Sequence, residues 1–255
     1  MSIIAILQAR MSSTRLPNKV LKLIVNKPML QLQIERIQQA KLIDKIVVAT
    51  STMDEDNTIE QLCYQLNISC YRGSLDNVLD RFYQAASKFN ATHIVRLTGD
   101  CPLIDPQIID NVVALHLKQK SDYTSNCRIP CLPDGLDVEI INKNSLKTSW
   151  IYASRPSEKE HVTQYIRNNE DLFKLVDYQH SPDLSAHRWT VDEPDDFEFV
   201  NKVYQNLYNK KVNFTTSDIL SLLEKQPELT TINCQINRNE GLIKSLKIDK
   251  ERGYE

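Results

Sequence analysis

Short apolar runs alternate with amphipathic stretches along the first half of the chain. Runs rich in Ile, Val and Leu predict four strands, at residues 3–8, 45–49, 69–71 and 92–97. Between and after them, apolar positions recur at helical spacing and predict helices over residues 29–40, 54–66, 77–89 and 106–119. Strands that alternate with helices are typical of parallel sheets, so the pattern predicts an α/β fold with a mostly parallel central sheet flanked by helices.

The pattern is less regular after about residue 121. Strands are predicted at residues 136–141, 172–178 and 188–191, the first of them with one solvated face. Helices are predicted at residues 158–168, 195–207 and 217–224. No repeat, low-complexity segment or flexible linker divides the chain, so we expect residues 1–255 to form a single domain with an irregular C-terminal half.

The composition is ordinary for a folded protein, with 41% hydrophobic and 25% charged residues. A net charge of −2 argues against binding nucleic acid or an anionic membrane through bulk electrostatics. The longest apolar run, IIAIL, is far shorter than the roughly 20 residues that cross a bilayer. It follows Met1 without a basic leader, so we expect neither secretion nor a membrane anchor. The six cysteines lack zinc-site spacing, which favours free thiols in the cytoplasm.

Glycines are few and far apart. The chain has five, and no two are closer than twelve positions. The glycine-rich motifs GxxxxGK[ST] and GxGxxG are therefore absent, which argues against a P-loop NTPase and a dinucleotide-binding Rossmann enzyme.

A basic stretch, ARMSSTRLPNK (residues 9–19, the basic loop), follows the first predicted strand. It carries Arg10, Arg15 and Lys19 together with two serines and a threonine. Ligands of open α/β sheets bind at the carboxyl ends of the strands, and Arg and Lys are phosphate ligands. The basic loop therefore predicts a phosphate site, with a solvated basic turn as the alternative.

Two acidic motifs follow later predicted strands. In RLTGDCPLID, Asp100 is placed to leave the strand end at the same edge as the basic loop, and Gly99 permits close approach to the backbone. In RWTVDEPDDFE, Asp192 is placed in the same way. Mg²⁺ is usually held by one or two carboxylates together with substrate phosphates, so Asp100 and Asp192 are candidate metal ligands. By contrast, Asp105, Asp195 and Asp196 precede or begin helices and are predicted to cap them.

Together these stretches resemble the cytidylyltransferase family of CMP-KDO synthetase and CMP-sialic acid synthetase, and especially its spore coat polysaccharide biosynthesis protein F branch. The matching motifs are QARMSSTRLPNKVL, GDCPLID and VDEPDDFE, and further similarity lies in YRGSLDNVLDRF, DGLDVEI, EKEHVTQYI and INRNEGLIKSL. The chain departs from the family at Asn18, commonly glycine, and at Ser12, often glycine in this branch. Asn tolerates left-handed geometry, so we expect the basic loop to close in the same way.

The resemblance implies a Rossmann-like nucleotidyltransferase (GT-A-like) fold that transfers CMP from CTP to an acidic sugar of the keto-deoxy type and releases pyrophosphate. Such a reaction would serve surface polysaccharide or glycan biosynthesis. It also implies Mg²⁺ as cofactor, a homodimer, a nucleotide-binding half at residues 1–120, and an acceptor-binding and dimerising half at residues 121–255.

The resemblance also assigns residues by motif. The implied catalytic residues are Arg10, Arg15, Lys19, Asp100 and Asp192, the last two as metal ligands. The implied nucleotide contacts are Gln8, Ala9, Arg10, Met11, Ser12, Ser13, Arg15, Lys19, Tyr71, Arg72, Gly73, Thr98 and Gly99.

Acceptor recognition is predicted in the second half of the chain. The candidate residues there are Asp134, Glu139, Arg155, Glu160, His161 and Arg188. Arginine matches carboxylate geometry bidentately, which favours Arg155 and Arg188 as ligands of an acceptor carboxylate. Each of three candidates has a structural alternative. Arg188 is equally well explained by a structural ion pair, Glu139 by the solvated face of a strand, and His161 by an ordinary interior or surface position.

Two other functions remain open at this point. In a metal-dependent glycosyltransferase that uses a nucleotide sugar, DGLD would be the acidic metal motif. A non-catalytic nucleotide-binding subunit could also keep the fold, although it has little need of two metal-binding carboxylates. Release of pyrophosphate, as opposed to a nucleoside diphosphate, separates the two enzymes.

Overall fold

The computed structural model describes residues 1–236, 238 and 240–254. Its strands are β1 (Ile3–Gln8), β2 (Leu23–Ile24), β3 (Lys27–Pro28), β4 (Lys45–Ser51), β5 (Ser69–Gly73), β6 (His93–Thr98), β7 (Tyr123–Ser125), β8 (Glu139–Asn142) and β9 (Leu175–Asp177). Its α-helices are α1 (Met29–Ile37), α2 (Asn57–Gln65), α3 (Val78–Lys88), α4 (Pro106–Gln119), α5 (Lys143–Tyr152), α6 (Pro156–Glu160), α7 (Gln164–Asn168), α8 (Pro194–Leu207), α9 (Thr216–Lys225) and α10 (Glu240–Glu251). Short 3₁₀ turns span Lys19–Leu21, Asp54–Asp56 and Pro227–Thr231.

The central sheet has seven strands in the order β5-β4-β1-β6-β8-β7-β9. All neighbouring pairs are parallel except the two that β8 makes with β6 and β7. The sheet takes strands from both halves of the chain, and helices cover both of its faces. The predicted α/β fold with a mostly parallel central sheet is confirmed.

Both faces of β1 are buried. Ile3, Ala5 and Leu7 pack into one apolar core with α1, α2, α4, α8 and α9. Ile4 and Ile6 point to the other face and pack with α3, α5 and α7. This arrangement explains why the first strand is a continuous apolar run rather than an alternating one.

Several predicted helices and strands have different caps, bounds or neighbours in the structure. Helix α3 is capped by the Asn77 side chain, which accepts from the Asp80 amide, rather than by Asp76. The helix predicted over residues 158–168 is broken into α6 and α7 at Val162, which has a φ of 51°. Residues 188–191 do not join the sheet; Arg188 and Asp134 form an isolated β-bridge instead. The strand predicted at residues 136–141 begins at Glu139, and residues 139–141 are all buried, so the strand does not have the predicted solvated face.

None of the helices in the described part of the chain combines the length and apolar character needed to span a bilayer. All six cysteines are free.

Candidate active site

A cleft of about 360 Å³ opens at the carboxyl ends of the central parallel strands. The strand ends bring its two sides together, because Gln8 of β1 pairs with Thr98 of β6 and the Gly99 amide donates to the Gln8 carbonyl at 2.8 Å. A Cβ on Gly99 would lie 2.9 Å from that carbonyl oxygen, so glycine is needed for this approach. The predicted site residues that line the cleft are Gln8, Ala9, Arg10, Ser13, Arg15, Lys19, Thr98, Gly99, Asp100, Asp134, Glu139, Glu160, His161 and Asp192.

Lys19 joins the two candidate metal ligands. Its Nζ donates to Asp192 Oδ1 at 2.8 Å and to the Val191 carbonyl at 2.7 Å, and it lies 3.5 Å from Asp100 Oδ2. Both carboxylates therefore approach a single nitrogen, although they are 92 positions apart in the sequence. Burial of the ammonium opposes its charge, but the two carboxylates outweigh that effect and raise the pKa of Lys19.

Asp192 reaches Asp100 through backbone contacts rather than through the sheet. The Val191 amide donates to the Asp100 carbonyl at 2.7 Å, and the Thr190 hydroxyl donates to the same oxygen at 3.2 Å. These two hydrogen bonds hold residues 190–191 next to Asp100, just beyond the end of β6. Asp192 is the next residue, so its side chain lies beside Asp100. The two aspartates lie close together, as predicted. Backbone hydrogen bonds bring Asp192 there, rather than the strand predicted at residues 188–191.

The Asp100 carboxylate stays ionised at neutral pH. Burial alone would raise its pKa, but the Lys19 ammonium and hydrogen bonds from Thr98 and Cys101 hold the pKa below its usual value. Two carboxylates that approach one nitrogen match the oxygen-rich ligands that Mg²⁺ prefers. No group of three or more His, Cys, Asp or Glu side chains among the described residues is arranged to hold a metal ion, so a metal here would take further ligands from substrate and water.

Arg15 lies at the mouth of the cleft. Its guanidinium contacts Asp192 at 3.1 Å, Glu193 at 3.4 Å and Glu240 at 3.2 Å. Its side chain is 35% exposed, so these ion pairs are screened and weak. Arg15 can therefore exchange its carboxylate partners for an anionic ligand at little cost.

The conformation of the basic loop depends on a residue that the sequence did not single out. The buried Asp56 carboxylate accepts from the Met11 amide at 2.7 Å, from the Ser51 amide at 3.0 Å and from the Ser51 hydroxyl. At the other end of the loop, Asn18 has a φ of 59°, as expected for a residue in the usual place of glycine. Asp56 thus ties the loop to the end of β4 and leaves the cations facing the cleft.

Some predicted site residues lie outside the cleft. Met11, Ser12, Tyr71, Arg72, Gly73, Arg155 and Arg188 do not line it. The Arg72 guanidinium instead donates to the Ser51 and Met53 carbonyls, to Asn57 and to Glu60. Gly73 allows Arg81 to pack, since a Cβ there would lie 3.1 Å from Arg81 Cγ. Arg155 is half-buried at the start of α6 and is not brought to the candidate acceptor residues.

The DGLD turn is a fixed part of the cleft wall. Gly135 has a φ of +106°, and a Cβ there would lie 2.5 Å from the Thr190 nitrogen. Asp134 accepts from Arg188 at 2.9 Å, and Asp137 accepts from Arg238 at 2.6 Å. Burial and the neighbouring carboxylates raise the pKa of Asp137 to about 7 in spite of Arg238. Positions 237 and 239 of the tail motif, on either side of Arg238, lie outside the described residues.

Arg188 is held in an ion-pair network. Its guanidinium donates twice to the fully buried Asp196 at 2.9 Å and also contacts Asp134 and Asp192. Asp196 in turn accepts from the amides of Asp192 and Glu193. Asp196 is therefore more than the predicted helix cap, because it fixes the segment that carries Asp192. The ion-pair alternative for Arg188 agrees with this geometry.

Glu139 belongs to the floor of the cleft. It forms an ion pair with Arg96 and accepts from Tyr123 at 2.6 Å and from Thr163 at 2.7 Å. Burial would raise its pKa, but these partners hold the pKa below its usual value. The alternative of a solvated face is wrong for this residue, whose side chain is 4% exposed.

Helix α10 closes one side of the cleft. Its Ser245 hydroxyl donates to Glu160 at 2.8 Å and lies 2.9 Å from His161 Nε2. Burial lowers the pKa of His161, which keeps the imidazole neutral at neutral pH. Glu160 and His161 thus line the cleft together with the first turn of α10.

Sequence reasoning missed three cleft-lining arginines: Arg81, Arg96 and Arg167. They lie in or next to the motifs YRGSLDNVLDRF, RLTGDCPLID and EKEHVTQYI. Nothing in the spacing of a helix or a strand separates a cleft arginine from a surface one, so their position required the fold. Another cavity, of about 370 Å³, lies between α1 and α8 and contains no predicted site residue.

Comparison with known proteins agrees with the fold and the motifs. The sequence profile of a family described as Cytidylyltransferase matches residues 4–221. The spore coat polysaccharide biosynthesis protein SpsF of Bacillus subtilis is 34% identical over 237 residues, which cover 90% of this chain and 97% of that protein. A 3-deoxy-manno-octulosonate cytidylyltransferase of Pelobacter propionicus is 34% identical over 145 residues, or 55% of each chain. A solved cytidylyltransferase structure from Leptospira borgpetersenii superposes with a TM-score of 0.86 at 31% identity, over 90% of this chain and 97% of that one.

Proposed function

The chain belongs to the cytidylyltransferase family, and from that premise we propose that it transfers CMP from CTP to an acidic sugar and releases pyrophosphate. The observation that carries this proposal is the convergence of Asp100 and Asp192 on Lys19, in a cleft that also contains the basic loop. A nucleotidyl transfer needs cations for the triphosphate and carboxylates for a metal at the same place, and this cleft offers both.

Asp100 and Asp192 would hold Mg²⁺, which would neutralise charge at the α-phosphate and lower the pKa of the attacking acceptor oxygen. Arg10, Arg15 and Lys19 would bind the triphosphate and orient its α-phosphorus for in-line attack. Such reactions need little covalent help from protein, so positioning and charge stabilisation supply most of the acceleration. Lys19 would exchange its carboxylate partners for the departing pyrophosphate, whose charge grows as the bond breaks.

The acceptor would enter from the side formed by β8, α6 and α7, where Glu139, Glu160 and His161 line the cleft. The proposed acceptor class is a keto-deoxy sugar acid, in keeping with the name of the P. propionicus relative. A role in polysaccharide biosynthesis follows the name of SpsF in the same way. We extend the proposal to a cytoplasmic homodimer, with the six free cysteines as support for the compartment.

The glycosyltransferase alternative gains no support from the DGLD turn. Burial and the neighbouring carboxylates raise the pKa of Asp137 to about 7, whereas the pKa of Asp100 is held below its usual value, so Asp137 is the poorer metal ligand at neutral pH. Asp100 and Asp192 are better placed for that purpose.

The test is pyrophosphate release by the full chain with CTP and Mg²⁺, using a panel of eight- and nine-carbon keto-deoxy sugar acids. We expect release with CTP above that with ATP, GTP or UTP, dependent on one acceptor, and reduced at least about a hundredfold in Asp100→Asn. Release of a nucleoside diphosphate from a nucleotide sugar would contradict the proposal. CTP binding without turnover across the panel would favour a non-catalytic subunit instead.

A further inference from the structure

Four polar atoms of cleft-lining side chains are buried without a hydrogen-bond partner. Nε of Arg96 and Oε1 of Gln164 belong to side chains that already bind the Glu139 and Asn168 side chains. The other two are Oε1 of Gln8, at the end of β1, and Nε of Arg81, on α3. Most buried polar atoms in folded proteins have a partner, because leaving one unpaired costs free energy. An unpaired acceptor and an unpaired donor in the same cleft therefore suggest a ligand that supplies both bonds.

Arg81 has an unusual environment for an arginine. It is 2% exposed, and its Nη1 donates a hydrogen bond to the Ser74 carbonyl at 2.7 Å. Burial, and then the charge of Arg10, lower its pKa to about 10, so it remains a cation at neutral pH. The acidic group that acts on it, Asp56, is already engaged with Met11 and Ser51. The guanidinium edge that carries Nε thus retains donor capacity.

The surroundings of Arg81 suit a flat ring better than a phosphate. Ala9 follows Gln8 directly, and Val78 lies one helical turn before Arg81 on the same face of α3. Both side chains are 5% exposed and line the cleft. Apart from Arg10, whose charge acts on Arg81, the hydroxyls and cations that suit phosphate, those of Ser13, Thr14, Arg15 and Lys19, lie farther along the basic loop. Apolar walls with a few placed polar groups are typical of sites for small organic rings.

The hydrogen-bonding edge of cytosine matches the two unpaired atoms. Cytosine presents two acceptors, O2 and N3, beside the donor amino group on C4, whereas uracil has a donor at N3 and an acceptor at C4. A guanidinium edge offers two parallel N–H donors and cannot accept. A uracil N3–H would therefore face a donor, and its O4 would face the Gln8 oxygen.

We propose that Arg81 and Gln8 read the nucleobase, with the Arg81 edge donating to O2 and N3 of cytosine and the Gln8 amide oxygen accepting from its amino group. The assignment rests on the proposed function, because it requires that a pyrimidine nucleotide binds in this cleft. It identifies Arg81 as a specificity residue that is separate from the phosphate-binding cations.

The first experiment measures calorimetric binding of CTP, UTP and inorganic tripolyphosphate to the full chain and to Arg81→Gln. We expect the variant to bind CTP roughly 10- to 100-fold more weakly, to lose most of the preference for CTP over UTP, and to bind tripolyphosphate as the parent does. The matched control is Arg36→Gln, another buried arginine, which donates to the Ile104 carbonyl away from the cleft. The control should leave all three affinities unchanged.

A ligand analogue gives a second test that needs no folded variant. In 3-deaza-CTP a C–H replaces N3, so the parent chain should bind it about tenfold or more weakly than CTP, and Arg81→Gln should bind the two alike. Equal binding of both nucleotides by the parent would overturn the assignment, as would a parallel loss of tripolyphosphate binding in Arg81→Gln. A parent that binds CTP and releases pyrophosphate but does not discriminate UTP contradicts only this inference. A parent that binds no CTP contradicts the proposed function as well.

Discussion

Replacing Lys19 with methionine removes the ammonium at the centre of the site and keeps most of the side-chain volume. The change leaves the Asp192 carboxylate, the Val191 carbonyl and the Asp100 carboxylate without the nitrogen that they share at 2.8, 2.7 and 3.5 Å. Breaking a fully buried ion pair costs about 3–5 kcal/mol. These carboxylate side chains are 24% and 27% exposed, so water relieves part of the cost, and we expect a loss of about 2 kcal/mol in the free energy of unfolding.

The effect of Lys19→Met on the reaction should exceed its effect on stability. Deleting one charge-stabilising contact to a transition state costs on the order of 2.7–4 kcal/mol, so kcat should fall by at least about a hundredfold. The largest effect that opposes burial at Asp100 would then be lost, and the pKa of Asp100 should rise. The control is Lys22→Met, which removes a lysine close by in the sequence but outside the cleft.

The assay is pyrophosphate release under conditions where urea denaturation shows the variant to be folded. Lys22→Met should keep the parent kcat, so a rate loss confined to Lys19→Met identifies the ammonium as the cause. A folded Lys19→Met enzyme that turns over CTP within a few-fold of the parent would refute the role of Lys19.

Three further changes test the supports of the site. Asp56→Asn replaces with an NH2 donor one of the two oxygens that accept from the Met11 amide and from Ser51. It should lower the free energy of unfolding by about 2 kcal/mol and kcat/KM for CTP at least about tenfold, and an unchanged kcat/KM would count against loop anchoring. Gly135→Ala adds a Cβ 2.5 Å from the Thr190 nitrogen at a φ of +106°. Urea denaturation should show that the free energy of unfolding falls by about 3 kcal/mol or more, and a fall under 1 kcal/mol would contradict the expected clash. The pKa of Asp100 is lower in the folded protein than in the unfolded chain, where it is about 3.9. The ionised carboxylate therefore stabilises the fold fully above that unfolded value, and this stabilisation is lost as pH falls through the folded pKa. Thermal unfolding between pH 2 and 7 should therefore be less pH-dependent in Asp100→Asn, and identical slopes would exclude this contribution.

Elements governed by local sequence could be predicted well. The bounds of β1 and α4 agree with the apolar pattern, and Asp105 caps α4 by accepting from the Gln107 amide. Asn18 adopts the left-handed conformation expected of it. In each case the sequence signal lies within a few residues along the chain, although the strands that pair with β1 are distant in sequence.

The candidate site could be predicted only in part, because much of it is made by contacts between distant segments. Asp192 lies beside Asp100 through backbone bonds from residues 190–191, which no periodicity indicates. Asp56 looked like the start of an acidic helix, yet its carboxylate holds the basic loop across 45 positions. Arg155 was predicted from the match between arginine and carboxylate geometry, which gives no information about position, and the residue does not line the cleft.

The most direct test of the central claim is a crystal structure of the full chain with CTP and Mn²⁺, in which anomalous scattering locates the metal. We predict a manganese peak ligated by Asp100 and Asp192, with the triphosphate held along residues 9–19. A metal bound by Asp134 and Asp137 instead, or a triphosphate outside the basic loop, would contradict the account.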